Sequence, residues 1–151
     1  MPHIYIDADG CPVKDEVYRV AERYSLKVTL VANHAMRHPQ KDWIDMQVVR
    51  DLFDAADDWI AETVADGDIV ISGDIPLAGR CLERGALVLD PRGKIHDEES
   101  IGAALGNREL FSHLRDLGML GGGPKPFDQR DRSRFLERLD QLVHAARRRR
   151  R

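Results

Sequence analysis

Short apolar runs and helix-spaced apolar residues take turns from the N-terminus to Asp90. His3 to Asp7 is a β-branched and aromatic run that reads as a buried strand, with Gly10 and Pro12 punctuating the turn behind it. Val13, Val17, Val20, Ala21 and Tyr24 then fall at helical spacing. Lys27 to Ala32 is a second strand, Asn33 to Asp42 a polar surface loop, and Met46 to Val49 a third strand. Asp54 is placed to cap a helix whose inner face carries Ala56, Ile60, Thr63 and Val64, and Gly67 ends it. Asp68 to Ser72 is the most strand-like run of all. Gly73-Asp74 turns the chain, Leu77 to Arg84 returns as a helix stopped at Gly85, and Ala86 to Leu89 is a further strand. Asp90-Pro91-Arg92-Gly93 is a strong turn signal.

Apolar strands separated by amphipathic helices imply a mainly parallel sheet covered on both faces, a three-layer α/β/α sandwich. The last third breaks the alternation. Glu98 to Leu117 reads as helical, with a break at Gly106, and Gly121 to Pro126 is irregular. Phe135, Leu136, Leu139, Leu142 and Val143 mark a terminal amphipathic helix. One α/β domain over residues 1–146, with a helical C-terminal extension from about residue 98, accounts for the pattern.

Composition adds little to the fold and more to its setting. The chain of 151 residues is 42% hydrophobic, enough to bury a core, and has no apolar run of the roughly 18 residues that a membrane span needs. Its first residues carry no basic segment or cleavage site of a signal peptide, and Cys11 and Cys81 are too few for a disulfide framework. One thiol is expected buried and one near a turn; the expected location is the cytoplasm. The formal charge of −3 hides an asymmetry. Arg147 to Arg151 supply five of the 23 basic residues, leaving 18 against 26 acidic, a net of −8 for the rest. The tail, residues 147–151, is expected to be a disordered basic end able to attract polyanions.

The acidic residues are where chemistry enters. In parallel α/β sheets, ligands bind beyond the carboxyl ends of the strands. Asp7 and Asp9 follow the first strand, Asp74 follows the Asp68–Ser72 strand, and Asp90 follows the Ala86–Leu89 strand. Asp57, three residues before Ile60 and seven before Val64, turns toward the inner face of its helix, whereas Asp58 is rotated away. Any one of these is accounted for as a helix cap. Together, their mutual repulsion calls for a bound cation or a proton. Oxygen ligands select Mg²⁺ or Mn²⁺, with Asp7, Asp9 and Asp74 as the expected metal ligands and Asp57 assisting. Asp58, Asp90, Asn33 and Ser72 stand in second rank. His34 and His38 are expected to be surface histidines, and Cys11 a small residue at a tight turn. Lys14, Arg92, Lys125, Arg130 and Arg132, with Arg134, are the candidate contacts to a nucleic-acid backbone, and Gly121 to Gly123 would let that region adapt.

Three resemblances follow. Asp7-Ala8-Asp9-Gly10 looks like the haloacid dehalogenase phosphatase signature, with Ser72 and Lys94 in the roles of its later Ser/Thr and Lys. No acidic pair follows a strand beyond Lys94, so that order fails. The PIN-like nuclease pattern resembles this chain more closely: Asp7 and Asp9, then Asp57 before Ile60-Ala61, then Ser72-Gly73-Asp74. Its usual additional acid has no clear counterpart, although Asp45 and Asp51 lie in that region. The widest likeness spans nearly the whole chain. Asp7-Ala8-Asp9-Gly10-Cys11-Pro12-Val13-Lys14, Val31-Ala32-Asn33, Asp54 to Ile60, Gly67 to Ile71, Asp74-Ile75-Pro76-Leu77-Ala78, Leu89 to Gly93, Gly122 to Phe127 and Arg130 to Phe135 resemble the bacterial YaiI/YqxD family. That family's activity is uncharacterised, and its relation to PIN-like domains is one of fold. What the resemblances imply is a metal-dependent ribonuclease cleaving phosphodiester bonds in RNA or single-stranded nucleic acid. The competing expectation is a non-catalytic RNA- or protein-binding module with a vestigial acidic site. Oligomeric state is not legible in the sequence.

Overall fold

The computed structural model describes residues 2–50, 55–103, 106 and 126–149. Six strands form one sheet in the order β3-β2-β1-β4-β5-β6. They are β1 (Ile4–Asp7), β2 (Val28–Ala32), β3 (Ile44–Val48), β4 (Ile69–Ile71), β5 (Leu87–Leu89) and β6 (Ile95–His96). The first five run parallel, and β6 pairs antiparallel with β5. Every residue of β2 and β4 is buried, as a central strand covered on both faces requires. The chain winds outward from β1 through β2 to β3, then returns to the other side of β1 for β4. The β1/β4 junction is therefore a topological switch point, where the carboxyl ends of two strands open a crevice.

Four helices are α1 (Lys14–Tyr24), α2 (Ala55–Thr63), α3 (Ile75–Glu83) and α4 (Gln129–Arg149). A further helical stretch covers residues 98–103. On one face, Val17, Val20 and Ala21 of α1 and Phe135, Leu139 and Val143 of α4 share a core with Ile4, Ile6, Leu30 and Ile71. On the other, Ile60 and Ala61 of α2 and Leu77, Ala78 and Cys81 of α3 pack on Tyr5, Val31, Val70 and Val88. The alternation of neighbours along each strand between these two cores makes the three layers. Phe135 and Leu139 are wholly buried, and full burial of such a side chain is worth roughly 1.5–3 kcal/mol. The C-terminal helix thus completes one face of the sandwich. Gly93 admits it: with φ of +90°, any Cβ there would come within 3 Å of the Arg134 and Phe135 backbone.

Several local expectations shift. β3 begins at Ile44, not Met46, because Val28 N–H already bonds Trp43 O and pairing starts there. β6 is a strand too short to leave a periodic signal. Thr63 is exposed at the end of α2 rather than inside it, and both thiols, Cys11 included, are buried. Asp51, Asp54, Gly121 to Gly123, Lys125, Arg150 and Arg151, and most of the helical reading over 98–117, lie outside the described residues. No helix among the described residues is long and apolar enough to cross a membrane.

Candidate functional site: a carboxylate crevice at the strand switch point

Parallel register places Ile6 beside Ile71 and Asp7 beside Val31, so Asp7 emerges next to Ser72 at the end of β4. Ser72 Oγ donates to Asp7 Oδ2 at 2.9 Å and accepts the Asp74 backbone N–H at 3.0 Å. One hydroxyl thereby ties the end of β1 to the β4–α3 turn. Asp74 caps α3, its Oδ1 accepting the Leu77 N–H at 2.9 Å, with Pro76 in the first helical turn. Asp9 sits in the turn after β1, which Gly10 completes with φ of +74°. Its Oδ2 accepts the Asn33 backbone N–H at 3.0 Å, joining the β1–α1 turn to the end of β2. Asn33 and Ser72, placed in second rank from the sequence, are the groups that orient Asp9 and Asp7. Asn33 does so through its backbone.

Each of these three carboxylates spends one oxygen on the fold. The other oxygen makes no hydrogen bond among the described residues. Asp9 Oδ1 is buried in that condition, with His34 Nδ1 at 3.6 Å. Burial pushes the Asp7 carboxyl above its ordinary value against the opposing Ser72 hydrogen bond, and the charges of Asp74 and Asp9 add to the rise. Asp7, Asp9 and Asp74 therefore form one electrostatic group. Among the described residues, no three His, Cys, Asp or Glu side chains stand gathered as a ready metal-binding group.

The remaining candidates divide. Asp57 is half-buried on α2 and bears electrostatically on Cys81 of α3, whose thiol burial pushes up to about 12. Asp58 is turned out and pairs with Arg80 at 2.7 Å. Asp90 shapes the β5–β6 turn. Burial alone would raise its pKa, but the His96 imidazole at 3.7 Å and the Lys94 and Arg92 backbone N–H groups hold it low. Asp45 is exposed near the amino end of β3, paired with Thr29, and lies at the edge opposite the crevice.

The basic candidates are mostly engaged. Lys14 Nζ donates to Cys11 O at 2.9 Å. Arg132 Nη1 donates to Pro12 O at 2.8 Å and Glu16 Oε1 at 3.0 Å, clasping α4 to the β1–α1 turn. Arg92 pairs with Asp131 at 3.2 Å, and both arginines lie against the Phe127 ring. Arg130 is exposed. His34 is exposed, as expected, and its Nδ1 stands 3.6 Å from Asp9 Oδ1. Its position directly after the strand neighbouring β1 was the available signal.

The chain matches the family model described as "Uncharacterized BCR, YaiI/YqxD family" over residues 5–145. It is 56% identical over 148 residues to a UPF0178 protein of Paramagnetospirillum magneticum, covering 98% of each chain. A UPF0178 protein of Rhodopseudomonas palustris is 53% identical over 150 residues, covering 99% of this chain and 95% of the relative. One from Rhodospirillum centenum is 50% identical over 152 residues, with 98% and 99% covered. No solved structure matches. With the family's pattern present from one end of the sandwich to the other, this chain belongs to the YaiI/YqxD family.

Proposed function

We propose that the switch-point crevice binds Mg²⁺ or Mn²⁺ and cleaves phosphodiester bonds in RNA. The observation that carries the reading is the half-used state of Asp7, Asp9 and Asp74. Each is oriented by one internal hydrogen bond and keeps a second oxygen without a hydrogen bond among the described residues. Three like charges left in this state favour a cation among them. Mg²⁺ commonly keeps several waters and takes only one or two protein carboxylates, so it does not require a tight three-ligand cage. When bound, such an ion lowers the pKa of a water and offsets charge on a scissile phosphate. Ser72 holds Asp7 at its angle, and the Asn33 N–H holds Asp9. Asp74 stays rigid because it caps α3. The PIN-like order of Asp7, Asp9, Asp57 and Ser72-Gly73-Asp74 adds to the reading, with Asp57 assisting from α2.

One observation favours a second reading. Because every one of the three carboxylates already serves the fold, the site suits a non-catalytic RNA- or protein-binding module too. Thermal melts with Mg²⁺ and Mn²⁺, followed by assays on RNA, single-stranded DNA and p-nitrophenyl phosphate, separate the cases. A metal-dependent rise in Tm with RNA turnover is the expected result. A rise without turnover of any substrate favours the binding module, and turnover of the last substrate alone points to a phosphatase. No response to metal removes the proposed mechanism.

A further inference from the structure

Cations around the crevice are unevenly used. On the α4 side, Arg92 and Arg134 are both paired with Asp131, and Arg132 with Glu16. A cation already paired with a neighbouring acid must give up that partner before it can neutralise a phosphate and release the strand's condensed counterions. The β2/β3 side differs. From Asn33 to Lys41 there is no acidic residue. Arg37 and Arg50 are exposed and have no ion-pair partner among the described residues. Both belong near the acidic group. Arg50 is one residue past Val49, whose N–H bonds Ala32 O at the end of β2. Arg37 is three residues past His34, at most about 11 Å of chain from the side chain that lies beside Asp9.

We infer that the β2/β3 flank of the crevice, through Arg50, His34 and Arg37, is the track for the phosphodiester backbone of a single-stranded nucleic acid. The inference rests on the RNA-cleaving reading of the same site and names the surface that would deliver the strand to it. It also moves the expected backbone contacts from Arg92 and Arg132 to the opposite wall. The physical reason is availability: the first two are paired with Asp131 and Glu16, while Arg37 and Arg50 have no ion-pair partner among the described residues.

Binding of a labelled oligouridylate, measured by anisotropy in EDTA over a range of salt, tests the track without requiring cleavage. The Arg37→Gln/Arg50→Gln variant is compared with Arg19→Gln/Arg138→Gln, which removes the same charge from exposed positions on α1 and α4. Each lost phosphate contact lowers the salt slope by about 0.7 for a single strand. The track variant should thus lose about 1.4 in slope and roughly 25-fold in affinity at about 0.1 M salt, with Tm unchanged. The control should move much less. Equal effects in the two variants overturn the track. Tight wild-type binding that the track variant leaves unaltered overturns it as well, with the RNA-cleaving reading intact. A wild-type protein that binds no oligonucleotide overturns the track, and the separate metal-dependent cleavage assay decides the RNA-cleaving reading.

Discussion

Two edges of one sheet use aspartate in opposite ways. At the amino edge, Asp68 is buried and both its oxygens are bonded: His3 N–H donates to Oδ1 at 3.1 Å and Ala65 N–H to Oδ2 at 2.9 Å. At the carboxyl edge, Asp7, Asp9 and Asp74 each give one oxygen to a neighbour and keep one. Asp68 is a single charge with its acceptors filled, which suits a structural brace. The other three repel one another across a crevice, which suits a site that gains from an added cation. Identical residue types therefore differ in what they leave unspent, and that difference separates candidate chemistry from architecture.

The comparison can be broken from its largest expected effect downward. Asp7→Asn, or Asp74→Asn, should reduce metal-dependent RNA cleavage by about a hundredfold or more and abolish the Mg²⁺-induced rise in Tm. Asparagine caps a helix about as well as aspartate, so Asp74→Asn should keep its metal-free Tm. Retained cleavage in both variants would sink the mechanism. Next comes Ser72→Ala, which removes the hydroxyl linking Asp7 to the Asp74 turn. Apparent metal affinity, read from thermal melts, should weaken by about 10–100-fold, as for other groups that orient a ligand. At the other edge, Asp68→Ala strands two N–H groups and should cost about 1–3 kcal/mol in urea unfolding, leaving the Mg²⁺ response as it was. Should Asp68→Ala lose the metal response while folded, the two edges would not be separate.

The smallest effect is a pH dependence at the amino edge. Burial pushes the His3 imidazole below its ordinary value of 6.5, against the charges of Asp68 and Asp45. The native histidine is then neutral where the unfolded chain has taken up a proton. Its contribution is complete above about pH 6.5 and is lost as pH falls toward the lowered folded value. Wild type should therefore lose stability relative to His3→Gln between about pH 7 and 5, in paired urea titrations. Parallel curves for the two proteins would remove His3 from the account.

Much of the layered fold was legible because its signal is local. Ile69, Val70 and Ile71 are all apolar because a central parallel strand is covered twice, and Val13, Val17, Val20 and Ala21 share a face because a helix turns every 3.6 residues. β6 and the earlier start of β3 were not legible, since pairing with a partner strand, and not composition, makes them strands. At the crevice, strand-end position was enough to single out Asp7, Asp9 and Asp74. The reading of Arg92 and Arg132 as open phosphate contacts drew on charge alone and could not see Asp131 or Glu16 beside them.

The sequence by itself determined the order of the first five strands and the helices between them, the covered faces and the chain positions of the acids, because periodicity and turn chemistry act over a few residues. Only the tertiary structure decided the switch point between β1 and β4, the Ser72 link between Asp7 and Asp74, and the meeting of Asp9 with Asn33 and His34. The Asp9–Asn33 and Asp7–Ser72 contacts join residues 24 and 65 positions apart, where strand order and register set the neighbours and no local pattern records them.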